Sequence, residues 1–346
     1  MMTKIHCLGS GLVGAFVVRH LVESGHDVHV YDLKPNSTQG ITMHVGDITQ
    51  RLDMLPDGLV VNMLPGDIGG GCTEDLVRLG RTLVDLSFAE KTPDRLHELA
   101  VESNSTVVWD VGIAPGLSNM LLAEAQTKLG TFRNAEIRVG GNPSQPDDDW
   151  SYMAPFSPAD VIAEYTRPAR VVREATVTTL PALDERHLIE VAGKGSMEAF
   201  LSDGLRSLLF TMKADEMSEY TVRWPGHIQR YIDERDAGEL NLDSLLESWT
   251  LDKDRSEFTW MEVKAENDAQ RFIWRVEDSG SKGDSSMART TGLVTLATAL
   301  TLCENTDILS PGVYSPEELP SPFLDRALSL MVKNGVKIEH HIERSN

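Results

Sequence analysis

The sequence predicts an α/β protein, with a doubly wound parallel sheet in its amino-terminal part and a second α+β domain built on an open, mostly antiparallel sheet. Three observations lead there. Short apolar runs alternate with helix-like stretches over the first hundred residues, and a Gly-x-Gly-x-x-Gly turn follows the first run. From residue 135 onward, strand-like runs are instead separated by long connections. Strands that alternate with helices imply right-handed crossovers and parallel pairing.

The elements follow in order. Residues 4–8 form the first run, and residues 12–22 carry apolar side chains at helical spacing up to the stop at Gly25. Further strands are expected at 28–31, 43–45, 59–62, 82–85 and 106–109, with helices around 75–79 and 93–102. Beyond them, strands are expected at 135–139, 172–178, 188–191 and 220–224, with an antiparallel pair at 258–264 and 271–276. Helices fit at 197–212 and 227–235. The pattern turns helical again from Ala288, and 323–332 reads as a last helix.

Composition narrows the function. The 346 residues suffice for two domains, and 41% hydrophobic with 25% charged content is that of a soluble globular chain. With 32 basic and 53 acidic side chains the net charge is −21. Such a surface repels phosphate backbones and anionic lipid, so nucleic-acid and membrane partners are not expected. Cys7, Cys72 and Cys303 form no disulfide framework, which points to a reducing, cytoplasmic setting. No secretory signal is expected, because Gly9, Gly11 and Gly14 interrupt the apolar stretch 5–18. Asp147-Asp148-Asp149 reads as a solvated loop and His340-His341 as a polar tail, and no metal site is expected. Neither a Gly-x-Ser-x-Gly elbow nor a phosphate-binding P-loop occurs.

The turn Gly9-Ser10-Gly11-Leu12-Val13-Gly14 follows a strand and opens a helix, the context in which this motif binds a dinucleotide in Rossmann-type domains. Gly9 permits the tight turn, Gly11 admits a pyrophosphate to the backbone, and Gly14 lets helix and strand pack closely. The helix start offers free N–H groups to the anion. Asp32 ends the second strand, where its carboxylate accepts the adenosine ribose hydroxyls and disfavours a 2′-phosphate. NAD is therefore expected over NADP, with Lys34 leaving room for dual use. Asn62, Leu64 and Pro65 follow the fourth strand and would lie along the cofactor. Asp47 is either an adenine or ribose contact or a helix cap. Asp85 is a candidate for the nicotinamide and substrate side, or likewise a cap. Asp110 opens a glycine-rich loop suited to a polar ligand.

Four segments carry a family resemblance: 110–119 (DVGIAPGLSN), 164–170 (EYTRPAR), 198–209 (EAFLSDGLRSLL) and 221–227 (TVRWPGH). With 286–292 and 312–319, they make the chain resemble the saccharopine dehydrogenase-like family nearly end to end, and within it the L-lysine 6-dehydrogenase branch. The resemblance implies a Rossmann domain over 1–120, a substrate and dimerisation domain over 121–285, and C-terminal helices over 286–346 that return to the first domain. It also implies a homodimer and an amine or amino-acid substrate.

Amine oxidation removes hydride from the carbon bearing nitrogen, and that nitrogen must first be neutral. His227 is the preferred acid/base, since imidazole titrates near working pH. Lys194 is an alternative if burial lowers its pKa. Arg206 and Arg223 are candidates to hold a substrate carboxylate, and Asp203 to bind a distal amine or orient Arg206. The expected reaction is NAD-dependent conversion of a terminal amine to a semialdehyde. A saccharopine-type or carboxynorspermidine-type secondary-amine enzyme is the alternative, and a non-catalytic NAD(H) sensor a third reading.

Overall fold

A computed structural model of the chain describes residues 2–155, 158–281 and 283–345. The amino-terminal half runs β1 (Lys4–Leu8), α1 (Leu12–Glu23), β2 (Asp27–Asp32), β3 (Ile41–Val45), β4 (Leu59–Asn62), α2 (Gly66–Arg78), β5 (Thr82–Asp85), α3 (His97–Glu102), β6 (Thr106–Trp109) and α4 (Leu117–Leu129). The middle runs β7 (Phe132–Pro143), α5 (Pro158–Thr166), β8 (Ala169–Arg173), β9 (Thr176–Leu180), β10 (His187–Val191), β11 (Gly195–Leu201), α6 (Leu208–Thr211), β12 (Ala214–Arg223), α7 (His227–Asp236), α8 (Leu242–Ser248), β13 (Glu257–Glu266) and β14 (Gln270–Asp278). The chain ends with α9 (Ser286–Glu304), β15 (Gly312–Tyr314), α10 (Pro322–Lys333) and β16 (Lys337–Arg344).

Two compact units result: residues 1–120 with 288–334, and residues 121–287 with 335–346. In the first unit, seven strands pair in the order β15-β6-β5-β4-β1-β2-β3, all parallel. Its central strands β1, β4, β5 and β6 are short and almost wholly buried, as expected of a sheet covered on both faces. Leu8, Leu76, Leu83, Val107 and Trp109 share one core. Helix α9 meets α1 at Gly292, where a β-carbon would stand 2.6 Å from the Phe16 ring.

The second unit holds a nine-stranded sheet ordered β10-β11-β12-β7-β13-β14-β16, with the β8–β9 hairpin attached to β12. Only β12 and β7 run parallel. Met197, Ala199 and Leu201 of β11 enter one core while Phe200 enters another, beside Tyr165, Tyr231 and Trp249. That two-sided burial explains a misreading. Residues 197–212 were expected to be helical, but a strand buried on both faces is as apolar as a buried helix. Only Leu208–Thr211 is helical there.

Two further expectations change. The run 172–178 is a hairpin that turns at Glu174 and Ala175, both in the left-handed region (φ 50° and 59°). A two-residue turn needs that conformation to match strand twist, and no glycine or asparagine announced it. The segment 286–346 is not purely helical, because β16 pairs along β14 and belongs to the second unit. His340 of the expected polar tail stacks on Trp274, with ring centroids 4.4 Å apart.

Candidate functional site

The glycine turn has the geometry its sequence asks for. Gly9 has φ +85°, and a β-carbon on Gly14 would sit 2.8 Å from the Gly9 carbonyl oxygen. Gly11 precedes α1, which has no side-chain cap. A β-carbon on Gly11 would meet nothing within 4 Å, leaving the backbone open to a ligand. Leu12 is exposed and Val13 half-buried at the first turn of α1. One Asp32 oxygen accepts from the Ser10 amide (2.7 Å) and hydroxyl (2.9 Å), the other from the Lys34 amide (3.0 Å). Partial burial pushes the Asp32 pKa up, but these hydrogen bonds outweigh it and hold the carboxyl below its usual range. A fixed carboxylate at the end of β2, beside an open helix start, fits a dinucleotide.

Asn62, Asp85 and Asp110 are buried, whereas Asp47 and Pro65 are exposed. Asn62 donates to the Gly69 carbonyl, to Thr73 Oγ1 and to Asp85, and accepts from the Leu64 amide. Asp85, 1% exposed, accepts from Thr73 Oγ1 (2.6 Å) and the Ser87 amide (2.8 Å). Both side chains stitch α2 to β4 and β5, so the Asn62 and Asp85 side chains, expected along the cofactor and on the substrate side, are engaged within the chain. Pro65 is the residue before α2, and Leu64 is packed against the core. Asp47 caps the short 3-10 helix Ile48–Gln50 by accepting from Thr49 and Gln50. Asp110 is buried with left-handed backbone (φ 55°), an unusual conformation for a residue bearing a side chain.

The second unit gathers the polar residues on one sheet face. Glu198 pairs in register with Arg223, and Phe200 with Thr221. The Arg223 guanidinium is buried, with Nε donating to Tyr165 Oη (2.9 Å), Nη1 to the Val222 carbonyl (3.0 Å) and Nη2 to Glu164 Oε2 (3.2 Å). Its carbon lies 4.5 Å from the centroid of the Tyr152 ring. Arg223, expected to hold a substrate carboxylate, is therefore engaged by Glu164 of α5. The Asp147 carboxylate organises the loop that brings in Trp150 and Tyr152, accepting from the Asp149 and Ser151 amides and pairing with Arg255.

His227, the expected acid/base, is buried with both ring nitrogens engaged. Its Nδ1 lies 2.8 Å from the Trp150 carbonyl oxygen, which only accepts, so Nδ1 carries the proton and Nε2 accepts from Tyr165 Oη (3.0 Å). Trp150, Tyr152, Tyr165 and Trp249 surround the ring. Burial, reinforced by the Arg223 charge, lowers its pKa to about 3. A ring so depressed stays neutral at working pH. Unfolded, it takes a proton from about pH 6.5, so stability should fall as pH drops from 6.5 toward 3. At ~1.4 kcal/mol per pH unit the loss is at most ~5 kcal/mol. In His227→Gln, denaturant melts between pH 7 and 4 should lose most of this slope.

The remaining candidates are committed or displaced. Asp203 takes Arg170 with both carboxylate oxygens (2.9 and 2.8 Å), and so does not orient Arg206. Lys194 lies 4.2 Å from the Phe258 ring centroid and 3.5 Å from Glu277, an ion-paired position rather than that of a free base. Arg206 is buried, with left-handed backbone at φ 46°.

Two carboxyls escaped attention. Burial lifts Glu164 to about 7 despite Arg223, and lifts Glu219 to about 8 despite the Ser202 hydroxyl that donates to it (2.6 Å). Ser202 and Thr221 hydroxyls also bond each other at 2.6 Å. Glu164 opens the singled-out segment 164–170 and Glu219 stands two residues before 221–227, but neither spacing nor neighbours announced their burial.

Comparison with known proteins bears on the whole. Residues 112–336 match the saccharopine dehydrogenase C-terminal domain family. The chain is similar to alpha-aminoadipic semialdehyde synthase of Arabidopsis thaliana, with 22% identity over 158 residues, covering 44% of this chain and 14% of that protein. It is also similar to the mitochondrial alpha-aminoadipic semialdehyde synthase of Bos taurus, 24% identical over 184 residues, covering 48% of this chain and 20% of that protein. The matched part thus spans a fifth or less of these relatives' length. Apo saccharopine dehydrogenase (L-Glu forming) from Saccharomyces cerevisiae shares the fold, with TM-score 0.74 and 14% identity over 99% of this chain and 100% of that one. With the match extending over most of its length, the chain belongs to the saccharopine dehydrogenase C-terminal domain family.

Proposed function

We propose that the protein is an NAD-dependent oxidoreductase acting on a CH–NH2 group of an amino acid, converting the terminal amine of lysine or a related diamino acid to the semialdehyde. The observation that carries the reading is the open Gly9–Gly14 turn beside the fixed Asp32 carboxylate, on a chain of this family. Amides at the start of α1 would hold the pyrophosphate and Asp32 the ribose hydroxyls. The bound nicotinamide would supply the hydride acceptor. The aromatic packing around Arg223 and His227 provides a preorganised, water-poor surround for the polar face of the second unit. A homodimer acting in a reducing cytoplasm completes the proposal, and the three free cysteines are consistent with that setting.

A second reading, oxidation or reduction of a saccharopine-type or carboxynorspermidine-type secondary amine, is favoured by the names of the similar proteins. One assay separates the two: NADH absorbance followed with lysine, ornithine and saccharopine, in both directions and with both cofactors. Turnover of a primary amine supports the first reading and turnover of saccharopine alone the second. Inertness toward all of them overturns both. Asp32→Ser should shift the kcat/KM ratio toward NADP by ~10-fold, or ~1.4 kcal/mol, because the carboxylate no longer repels a 2′-phosphate.

A further inference from the structure

The carboxyl-terminal strand forms one border of the nine-stranded sheet. β16 ends the strand order and, among the described residues, pairs only along β14, from Gln270↔Arg344 to Glu277↔Lys337. Apart from half-buried Ile338 its residues are exposed, and Ile342 is 54% accessible. A border of this kind presents a row of N–H and C=O groups to which another strand can add. The Ser345 amide donates to the Ala269 carbonyl (3.1 Å), one step further along the same register. Antiparallel hydrogen bonding alternates along a strand, so the amides and carbonyls of Lys337, Glu339, His341 and Glu343 turn toward β14 as well. Those of Ile338, His340, Ile342 and Arg344 face outward.

We propose that two copies of the protein join along this edge, β16 against β16, antiparallel about a twofold axis at His340. The inference rests on the homodimer proposed above and names its face. In that register Ile338 lies opposite the partner's Ile342, and these residues and His340 exchange hydrogen bonds through their outward backbone groups. On the other face of the strand Lys337 lies opposite the partner's Glu343, and Glu339 opposite the partner's His341. Side chains directly opposite on neighbouring strands have β-carbons about 4.5–5.5 Å apart, close enough for each pair to interact. Under twofold symmetry every such contact occurs twice.

The order of charges along Lys337-Ile-Glu-His-His-Ile-Glu343 selects this second copy and this register. The segment is complementary to its own reverse: a base faces an acid at the ends, isoleucine faces isoleucine, and an acid faces imidazole. Moving the axis to Glu339 sets that carboxylate against its own copy. Moving it to His341 sets Glu339 against the partner's Glu343. Like charges directly opposite are unfavourable, so both neighbouring registers are penalised. The strand is also held in place to receive a partner. His340 stacks on Trp274, with ring centroids 4.4 Å apart, and Lys128 of α4 covers the Phe272 ring of β14 at 5.6 Å.

Analytical ultracentrifugation of the parent and of edge variants tests the inference. The parent is expected to dimerise. Lys337→Glu and Glu343→Lys should each raise the dimer dissociation constant about 10-fold, since each sets like charges opposite twice per dimer. The double variant Lys337→Glu/Glu343→Lys exchanges the two charges and should restore the parent value. Both positions are exposed, so the thermal stability of the monomer should not change. Disulfide trapping reads the register. His340→Cys should link two copies on mild oxidation, because paired residues at the axis have Cα atoms ~5.5 Å apart. Glu343→Cys should not, because each copy lies several residues from the other. A dimer indifferent to the single charge reversals, or trapped as readily by Glu343→Cys as by His340→Cys, overturns the edge contact and leaves the homodimer to another face. A parent chain that stays monomeric at every concentration overturns both.

Discussion

Arg223→Ala is expected to destabilise the second unit by ~3–5 kcal/mol at pH 8, the usual cost of removing one partner of a buried pair. The substitution strips Glu164 of its cation, leaves Tyr165 Oη without the Nε donor, and opens a void beside the Tyr152 ring. The pH dependence identifies the cause. Glu164 already has a folded pKa above its unfolded value, and loss of Arg223 raises it further. Its protonated form is well tolerated, so the penalty should be smaller at pH 5.5 and grow as pH rises through neutrality. Urea melts at both pH values test this. In the double variant Arg223→Ala/Glu164→Gln, the pH-dependent part should vanish while the packing loss remains. A penalty independent of pH, or unaltered by Glu164→Gln, would mean that the ion pair contributes nothing.

Gly14→Ala should weaken NAD binding by at least ~10-fold and cost the first unit ~1–3 kcal/mol, since the new β-carbon meets a backbone carbonyl that cannot swing aside. Gly11→Ala separates ligand approach from packing. Its β-carbon meets no protein atom within 4 Å, and with φ −64° and ψ −157° the cost is confined to a small backbone adjustment, so thermal stability should fall by no more than ~1 kcal/mol. If the amides there receive a pyrophosphate, affinity should nonetheless fall in calorimetric titration. Equal affinity in Gly11→Ala and the parent would show that no ligand approaches this backbone and would remove the basis for the cofactor assignment.

The chain makes unequal parts of itself legible. Six strands of the parallel sheet were readable because most are short apolar runs bounded by turns, and the glycine turn because its requirements are local. The β11 segment was not, since burial on both faces erases the alternation that distinguishes strand from helix. Arg223 illustrates the same limit for a side chain. Its residue type suggested a carboxylate partner, and it has one, but Glu164 from within the chain rather than a substrate.

Sequence alone therefore determined the order of the elements over residues 4–109, the dinucleotide turn with Asp32, and the family resemblance, because these reside in contiguous residues and their spacing. The edge strand β15 of the same sheet came only from the structure. The tertiary structure decided which polar groups are already satisfied. Arg223 meets partners 58 to 71 positions away, and His227 reaches one 77 positions away. Whether a buried group is free to do chemistry depends on desolvation and on such distant partners, and neither is encoded in the identity of its neighbours along the chain.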